Sequence, residues 1–179
     1  MRKILFLSVL LVVIFGVRAP VYATKISCDM QNLGGDIWLC GYTVNNDTLT
    51  DPIMEFKIYF EYGLYQGLWV ESTVSDWTVQ VLDPGYDTTT GPYSGYYDAI
   101  ADDTGISPGN KLSGFQLSFE WLGVFGSPVE QTFDVYGENL TSLGSGQTTS
   151  TVVPEPGTLM LLCSGLLCLA NIRRKPGAK

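Results

Sequence analysis

No histidine occurs anywhere in the 179 residues. Its absence removes Ser-His-Asp and Cys-His catalysis and the usual zinc sites together. A nucleophile elbow and a phosphate-cradling glycine loop are also missing. Basic residues are scarce, with ten Lys and Arg against 18 Asp and Glu. Seven of the ten sit near the ends: Arg2, Lys3, Arg18, Arg173, Arg174, Lys175 and Lys179. Between residues 24 and 150 only Lys25, Lys57 and Lys111 oppose 17 carboxylates, a net charge of −14. Such a body repels phosphate backbones, which excludes nucleic acid as a partner. Sustained helical periodicity is also lacking between the two ends.

What the body has is period two. Met54, Phe56, Ile58, Phe60 and Tyr62 alternate with Ile53, Glu55, Lys57, Tyr59 and Glu61. Phe115, Leu117, Phe119 and Trp121 alternate with Gly114, Gln116, Ser118 and Glu120, and Trp77, Val79 and Val81 with Asp76, Thr78 and Gln80. This pattern predicts half-buried antiparallel strands. Turn signals divide them at Asn45-Asn46-Asp47, Asp83-Pro84-Gly85, Pro108-Gly109-Asn110 and Gly126-Ser127-Pro128. Seven or eight short strands in about 130 residues make one all-β domain, an antiparallel β-sandwich of Ig-like or jelly-roll type.

Of four cysteines, two lie in this body. Leu33-Gly34-Gly35 offers a tight hairpin loop. Centring the hairpin on Gly34 pairs Met30 with Trp38, Cys28 with Cys40 and Ile26 with Tyr42, all on one face. A Cys28–Cys40 disulfide is expected, as suits an oxidising compartment. Cys163 and Cys168 lie in an apolar run and read as small packing residues.

The ends carry the strongest signals. Arg2 and Lys3 precede the apolar stretch Ile4–Val17, and Val21-Tyr22-Ala23 fits a small-residue cleavage site. Residues 1–23 are therefore expected to be a helical signal peptide, cut between Ala23 and Thr24 by signal peptidase after engaging the export machinery. At the other end, Pro154-Glu155-Pro156 leads into the uncharged run Thr158–Ile172 and then Arg173-Arg174-Lys175. Fifteen helical residues rise roughly 22 Å, which is short for a bilayer core about 30 Å thick. The basic cluster stops transfer and favours a cytoplasmic C-terminus. Pro154 and Pro156 keep the lead-in extended and accessible. A transmembrane helix is expected at 157–172, a basic stop at 173–175, and a neutral Ser/Thr/Gly spacer at 144–153 behind the domain 24–143.

The order Val153-Pro154-Glu155-Pro156-Gly157-Thr158, Leu-rich run and Arg173-Arg174-Lys175 resembles the PEP-CTERM sorting signal of exported proteins in biofilm-forming Gram-negative bacteria. The resemblance implies recognition by an exosortase, a membrane-embedded cysteine transpeptidase. It also implies transient residence in the inner membrane, removal of the tail at 154–179, and a final place at the cell surface or outside. A second, shorter resemblance lies at Pro108-Gly109 and Leu112–Phe119. It is similar to a strand motif of exported bacterial β-sandwich ectodomains, and it reports fold.

Chemistry in the body is harder to find. Asp103-Thr104-Gly105 spells an aspartic-protease tripeptide, but one copy without an apolar strand before it reads as a turn. Glu55, Glu61 and Glu120 are the carboxylates to inspect for a two-carboxylate glycosidase. Asp98, Asp102 and Asp103 form a small acidic cluster near Gly105; a calcium site there is conceivable, but EF-hand spacing is missing, so solvated loop carboxylates are expected, with no metal or cofactor. Tyr86, Tyr93, Tyr96 and Tyr97 lie in or beside the Gly- and Pro-rich stretch 83–97, where exposed rings could stack on sugars. The leading expectation is a non-enzymatic, exosortase-processed surface or matrix protein associated with exopolysaccharide. A carbohydrate-binding module using those tyrosines and a two-carboxylate glycosidase are the alternatives.

Overall fold

A computed structural model describes residues 24–124 and 126–152 together with Ser164. The expected signal peptide at 1–23 lies outside the described residues. So does the sorting segment from 153 onward, Ser164 apart, with the transmembrane helix expected at 157–172. Among the described residues no helix is long and apolar enough to cross a membrane.

Among the described residues twelve strands form, more than the seven or eight expected, and ten of them build two five-stranded sheets. In chain order they are β1 (Lys25–Gly34), β2 (Ile37–Asn45), β3 (Glu55–Phe60), β4 (Tyr65–Ser72), β5 (Trp77–Leu82) and β6 (Gly85–Asp87). They continue with β7 (Gly91–Tyr93), β8 (Gly95–Ala101), β9 (Lys111–Trp121), β10 (Thr132–Tyr136), β11 (Ser142–Gln147) and β12 (Thr149–Val152). One sheet runs β12-β1-β2-β9-β4, the other β11-β10-β3-β8-β5, and β6 with β7 makes a separate hairpin. Every ladder between these strands is antiparallel except β1–β12, which is parallel.

The alternating sequence pattern is what brings the sheets together. Phe56, Ile58 and Phe60 on β3 are buried, as are Phe115, Leu117, Phe119 and Trp121 on β9. Aromatic rings meet between the two layers. Phe56 packs edge-on against Phe115 with centroids 5.0 Å apart, and Trp77 against Phe115 at 5.4 Å. Phe60 meets Phe119 at 5.8 Å, and Tyr42 meets Tyr97 at 5.8 Å. Such pairs add about 0.5–1.5 kcal/mol each beyond the area they bury.

Cys28 and Cys40 are disulfide-bonded, with Cα atoms 5.6 Å apart. The face assignment of the first hairpin also holds, since Ile26, Cys28, Met30, Trp38, Cys40 and Tyr42 are all buried. Its register does not. Met30 pairs with Cys40, Cys28 with Tyr42 and Ile26 with Val44, so the ladder is shifted by two residues and the disulfide is diagonal. The turn is responsible. Gly35 and Asp36 form its tip, and Leu33 is bulged out between Asn32 and Gly34. The Asn32 side chain accepts from Gly34 N at 2.7 Å and donates to Gly35 O at 3.0 Å, and Gly35 takes φ +62°. A two-residue slip keeps every side chain on its face, which is why the pattern could not reveal it.

The spacer expected at 144–153 is not a free linker. Ser142–Gln147 is the edge strand of the second sheet, and Thr149–Val152 is the edge strand of the first. The switch between sheets falls on Thr148, which is fully buried. Its N–H donates to Gln131 O at 2.8 Å. Its hydroxyl accepts from Gln131 N at 2.9 Å and donates to Gln131 Oε1 at 3.0 Å. Small polar residues read as coil, yet an edge strand needs only backbone pairing and one anchored side chain. Replacing both Cys28 and Cys40 by Ser lowers the free energy of unfolding by about 3 kcal/mol in the chain-entropy view, as read by chemical denaturation. Ending the chain after Thr148 instead of Val152 removes β12 while keeping the Thr148 clasp, and costs roughly 2–4 kcal/mol at about 1 kcal/mol per backbone bond. An equal midpoint for the two truncations would return 149–152 to linker.

Candidate functional site

The outer face of the second sheet carries the side chains that alternate with the core. Lys57 on β3 stands opposite Asp98 on β8 and Asp134 on β10. Lys57 Nζ lies 3.0 Å from Asp98 Oδ2 and 3.6 Å from Glu55 Oε1, and 5.1 Å above the Tyr96 ring. Asp98 and Glu55 are both buried, so the single cation holds two carboxylates in a poorly solvated place. Burial, and then the neighbouring Asp98, raise the Glu55 carboxyl above its ordinary range. Burial pulls Lys57 down, but Asp98 and Glu55 outweigh it and raise the amine. Beside them Tyr59 donates to Asp134 Oδ2 at 2.8 Å, and burial followed by that carboxylate pushes the phenol up.

At one end of the sandwich a second group of polar and aromatic residues gathers. Tyr62 follows β3, and its ring lies 6.3 Å from that of Tyr86 on β6. Tyr93 closes the β6–β7 hairpin. The hairpin turns on Asp87, whose carboxylate accepts from Thr89 N at 2.7 Å and Thr90 N at 2.9 Å. Those backbone donors hold its carboxyl below the ordinary range. A Cβ at Gly85 would collide with the Tyr93 ring, so glycine is what allows that ring to lie across the hairpin. Glu61, Tyr62, Pro92, Tyr93 and Ser94 line a shallow hollow of about 210 Å³. Glu61 and Ser94 also border a neighbouring depression of about 410 Å³ that includes Tyr59, Glu130 and Gln131.

The four tyrosines expected to form one exposed set are split. Tyr86 and Tyr93 are exposed, at 62% and 42%. Tyr96 is half-buried beneath Lys57. Tyr97 is fully buried among Tyr42 and Phe56, because it falls on the inward phase of β8, and no ligand can reach it. Tyr62, assigned from the alternation to the core, is instead 47% exposed. The strand ends at Phe60, two residues before it. Gly63, at φ +82°, was the signal in the sequence that the alternation stops here.

The carboxylates singled out for hydrolysis do not converge. Glu120 accepts from Gln66 Nε2 at 2.6 Å on the other sheet. Glu55 is tied to Lys57, and Glu61 lies beside the tyrosine hollow. The acidic cluster is likewise divided, since Asp98 pairs with Lys57 while Asp102 accepts from Thr78 Oγ1 at 2.7 Å. Gly105 of the Asp103-Thr104-Gly105 turn packs against the Ile53 backbone, where Ile53 and Ile106 form a bridge.

Beyond Val152 the chain enters its other functional segment. Residues 152–175 match the PEP-CTERM protein-sorting motif. The chain carries this sorting signal. It implies an exported protein that an exosortase processes, with a membrane-anchored intermediate before the surface. No curated protein matches the chain. Among solved structures, an uncharacterized protein from Nocardia farcinica, described as having an immunoglobulin-like fold, is 15% identical with a TM-score of 0.46. That alignment covers 69% of this chain and 82% of that one. A cohesin module from Clostridium perfringens is 8% identical with a TM-score of 0.43, covering 73% and 98%. A family 3b carbohydrate-binding module from Clostridium clariflavum is 9% identical with a TM-score of 0.40, covering 67% and 93%. At these scores the likenesses assign neither ligand nor activity.

Replacing Lys57 with Met leaves two buried carboxylates facing each other. The expected loss is about 1–3 kcal/mol of unfolding free energy at pH 7. A raised amine stabilises the fold below its unfolded value and loses that effect as pH rises through the folded one. Separately, the loss in the variant should shrink between pH 7 and 4.5, as falling pH passes through the raised Glu55 value and neutralises that carboxyl. Thermal melts of both proteins at the two pH values check this, and a pH-independent difference would remove the ion triad as the cause.

Proposed function

We propose that this is an exported, exosortase-processed surface protein whose sandwich binds and does not catalyse. The observation that carries the reading is the sorting motif at 152–175 running on from β12. In this reading residues 1–23 are a signal peptide cut between Ala23 and Thr24. A cut there leaves β1 whole, because that strand begins at Lys25. Residues 24–152 are the displayed ectodomain, 157–172 the transient inner-membrane helix, and Arg173, Arg174 and Lys175 the stop. Pro154, Glu155 and Pro156 form the peptide on which the exosortase acts. The host is a Gram-negative bacterium that makes exopolysaccharide, and the ectodomain works in that matrix.

The non-enzymatic part rests on the carboxylates. Of the three that sequence marks for acid–base work, Glu55 is held by Lys57 and Glu120 by Gln66 on the other sheet, which leaves Glu61 by itself at the tyrosine hollow. A glycosidase needs two that face one cleft about 5–10 Å apart. Processing is read from intact mass. Protein from wild-type cells should lack the segment after the Pro-Glu-Pro region, while exosortase-deficient cells should retain it. Mature protein from wild-type cells that still carries residues 159–179 would overturn processing.

A further inference from the structure

We propose that Tyr62, Tyr86 and Tyr93, with Glu61 and Ser94, form a binding subsite for an uncharged polysaccharide built of pyranose rings with equatorial substituents. This deepens the surface-display reading, and it rests on the ectodomain being outside the cell.

Three observations converge on this end of the sandwich. The first is exposure without burial partners: Tyr62, Tyr86 and Tyr93 are 47%, 62% and 42% exposed, although the core takes most other rings of the chain. The second is that the rings are held in place. Tyr62 supports Tyr86 at 6.3 Å, Asp87 pins the hairpin turn, and Gly85 leaves room for Tyr93 alone. Rings ordered before binding lose little freedom when a ligand arrives. The third is polar capacity. Among the described residues, the hydroxyls of Tyr62, Tyr86, Tyr93 and Ser94 and the carboxylate of Glu61 make no hydrogen bond to another protein group, whereas Tyr59 and Tyr65 are both engaged.

The ligand class follows from shape and charge. A hollow of about 210 Å³ lies below the usual range of closed ligand pockets, about 300–1,000 Å³. It suits one ring of a longer chain laid across the surface. A pyranose with equatorial hydroxyls has flat C–H faces that stack on tyrosine, and a rim of hydroxyls that donate to a carboxylate and exchange hydrogen bonds with phenols and serine. The site carries Glu61 without a cation, in a body of net charge −14. Uronic-acid or sulfated chains would be repelled. A neutral β-linked glucan or N-acetylglucosamine polymer would not.

The test uses the secreted protein purified from producing cells. Titration calorimetry is run with cellohexaose and chitohexaose as neutral probes and with oligogalacturonate as the anionic one. At least one neutral probe should bind and the anionic probe should not. Tyr62→Ala and Tyr86→Ala should each weaken the neutral probe about tenfold. Glu61→Gln should weaken it less, and Thr78→Val, at the Asp102 contact away from both hollows, should leave it unchanged. Circular dichroism and melting confirm folding, and Tyr86→Phe provides a second variant that keeps the ring. Absence of binding by both neutral probes, affinity in Tyr62→Ala and Tyr86→Ala unchanged from the unsubstituted protein, or preference for oligogalacturonate would each overturn the subsite. Intact mass on the same preparation reads tail removal separately, so loss of the subsite and loss of the processing reading are distinguishable.

Discussion

The edge-on packing of Phe56 against Phe115 joins the two sheets at their middle, and much else depends on it. Phe56 belongs to β3, the central strand of one sheet, and Phe115 to β9, an inner strand of the other. Trp77 and Tyr97 complete the contact from β5 and β8. With these rings committed inward, strict alternation sends the intervening side chains outward. Lys57, Asp98 and Asp134 thereby reach the solvent side of adjacent strands at matching register. The core thus dictates the outer face, and that face needs no sequence signal of its own.

The outer face is stabilised as an ion network. One lysine neutralises part of a dense carboxylate surface, and the ring of Tyr96 lies beneath the amine. A group so tied to its neighbours is poorly suited to proton transfer, where a reacting carboxyl must be free to exchange. At the tyrosine end the position is reversed. The backbone there is fixed by Asp87 and Gly85, while the side-chain donors and acceptors are open. Rigid framework with unspent polar groups is the usual construction of a recognition surface.

Strand existence and inward faces were legible because a period of two is a direct imprint of burial, and Phe56 to Phe60 and Phe115 to Trp121 carry it without a break. Register was not, because a shift of two leaves that imprint unchanged. The Asn32 side chain and the bulge at Leu33 decided it, through local hydrogen bonds that no hydropathy pattern contains. The strands at 142–152 were hidden for a different reason. Their stability comes from backbone pairing to β10 and β1 and from the Thr148–Gln131 clasp, with Leu143 the one apolar side chain they pack against the core. Tyr62 and Tyr97 exchanged places relative to expectation because phase and strand end, not loop composition, determine exposure. The sorting signal was readable by order alone, since its recognition depends on linear sequence.

The parallel pairing of β12 with β1 has a mechanical consequence. A tether emerging after Val152 pulls in line with β12, so its load falls on the β1–β12 hydrogen bonds in shear, all at once. An antiparallel hairpin pulled from one end would open like a zipper, one bond at a time. The buried threonine at the upstream end of β12 acts as a stop against sliding. A domain held by its last strand in this way passes load from a tether into β1 and so into the disulfide-linked hairpin.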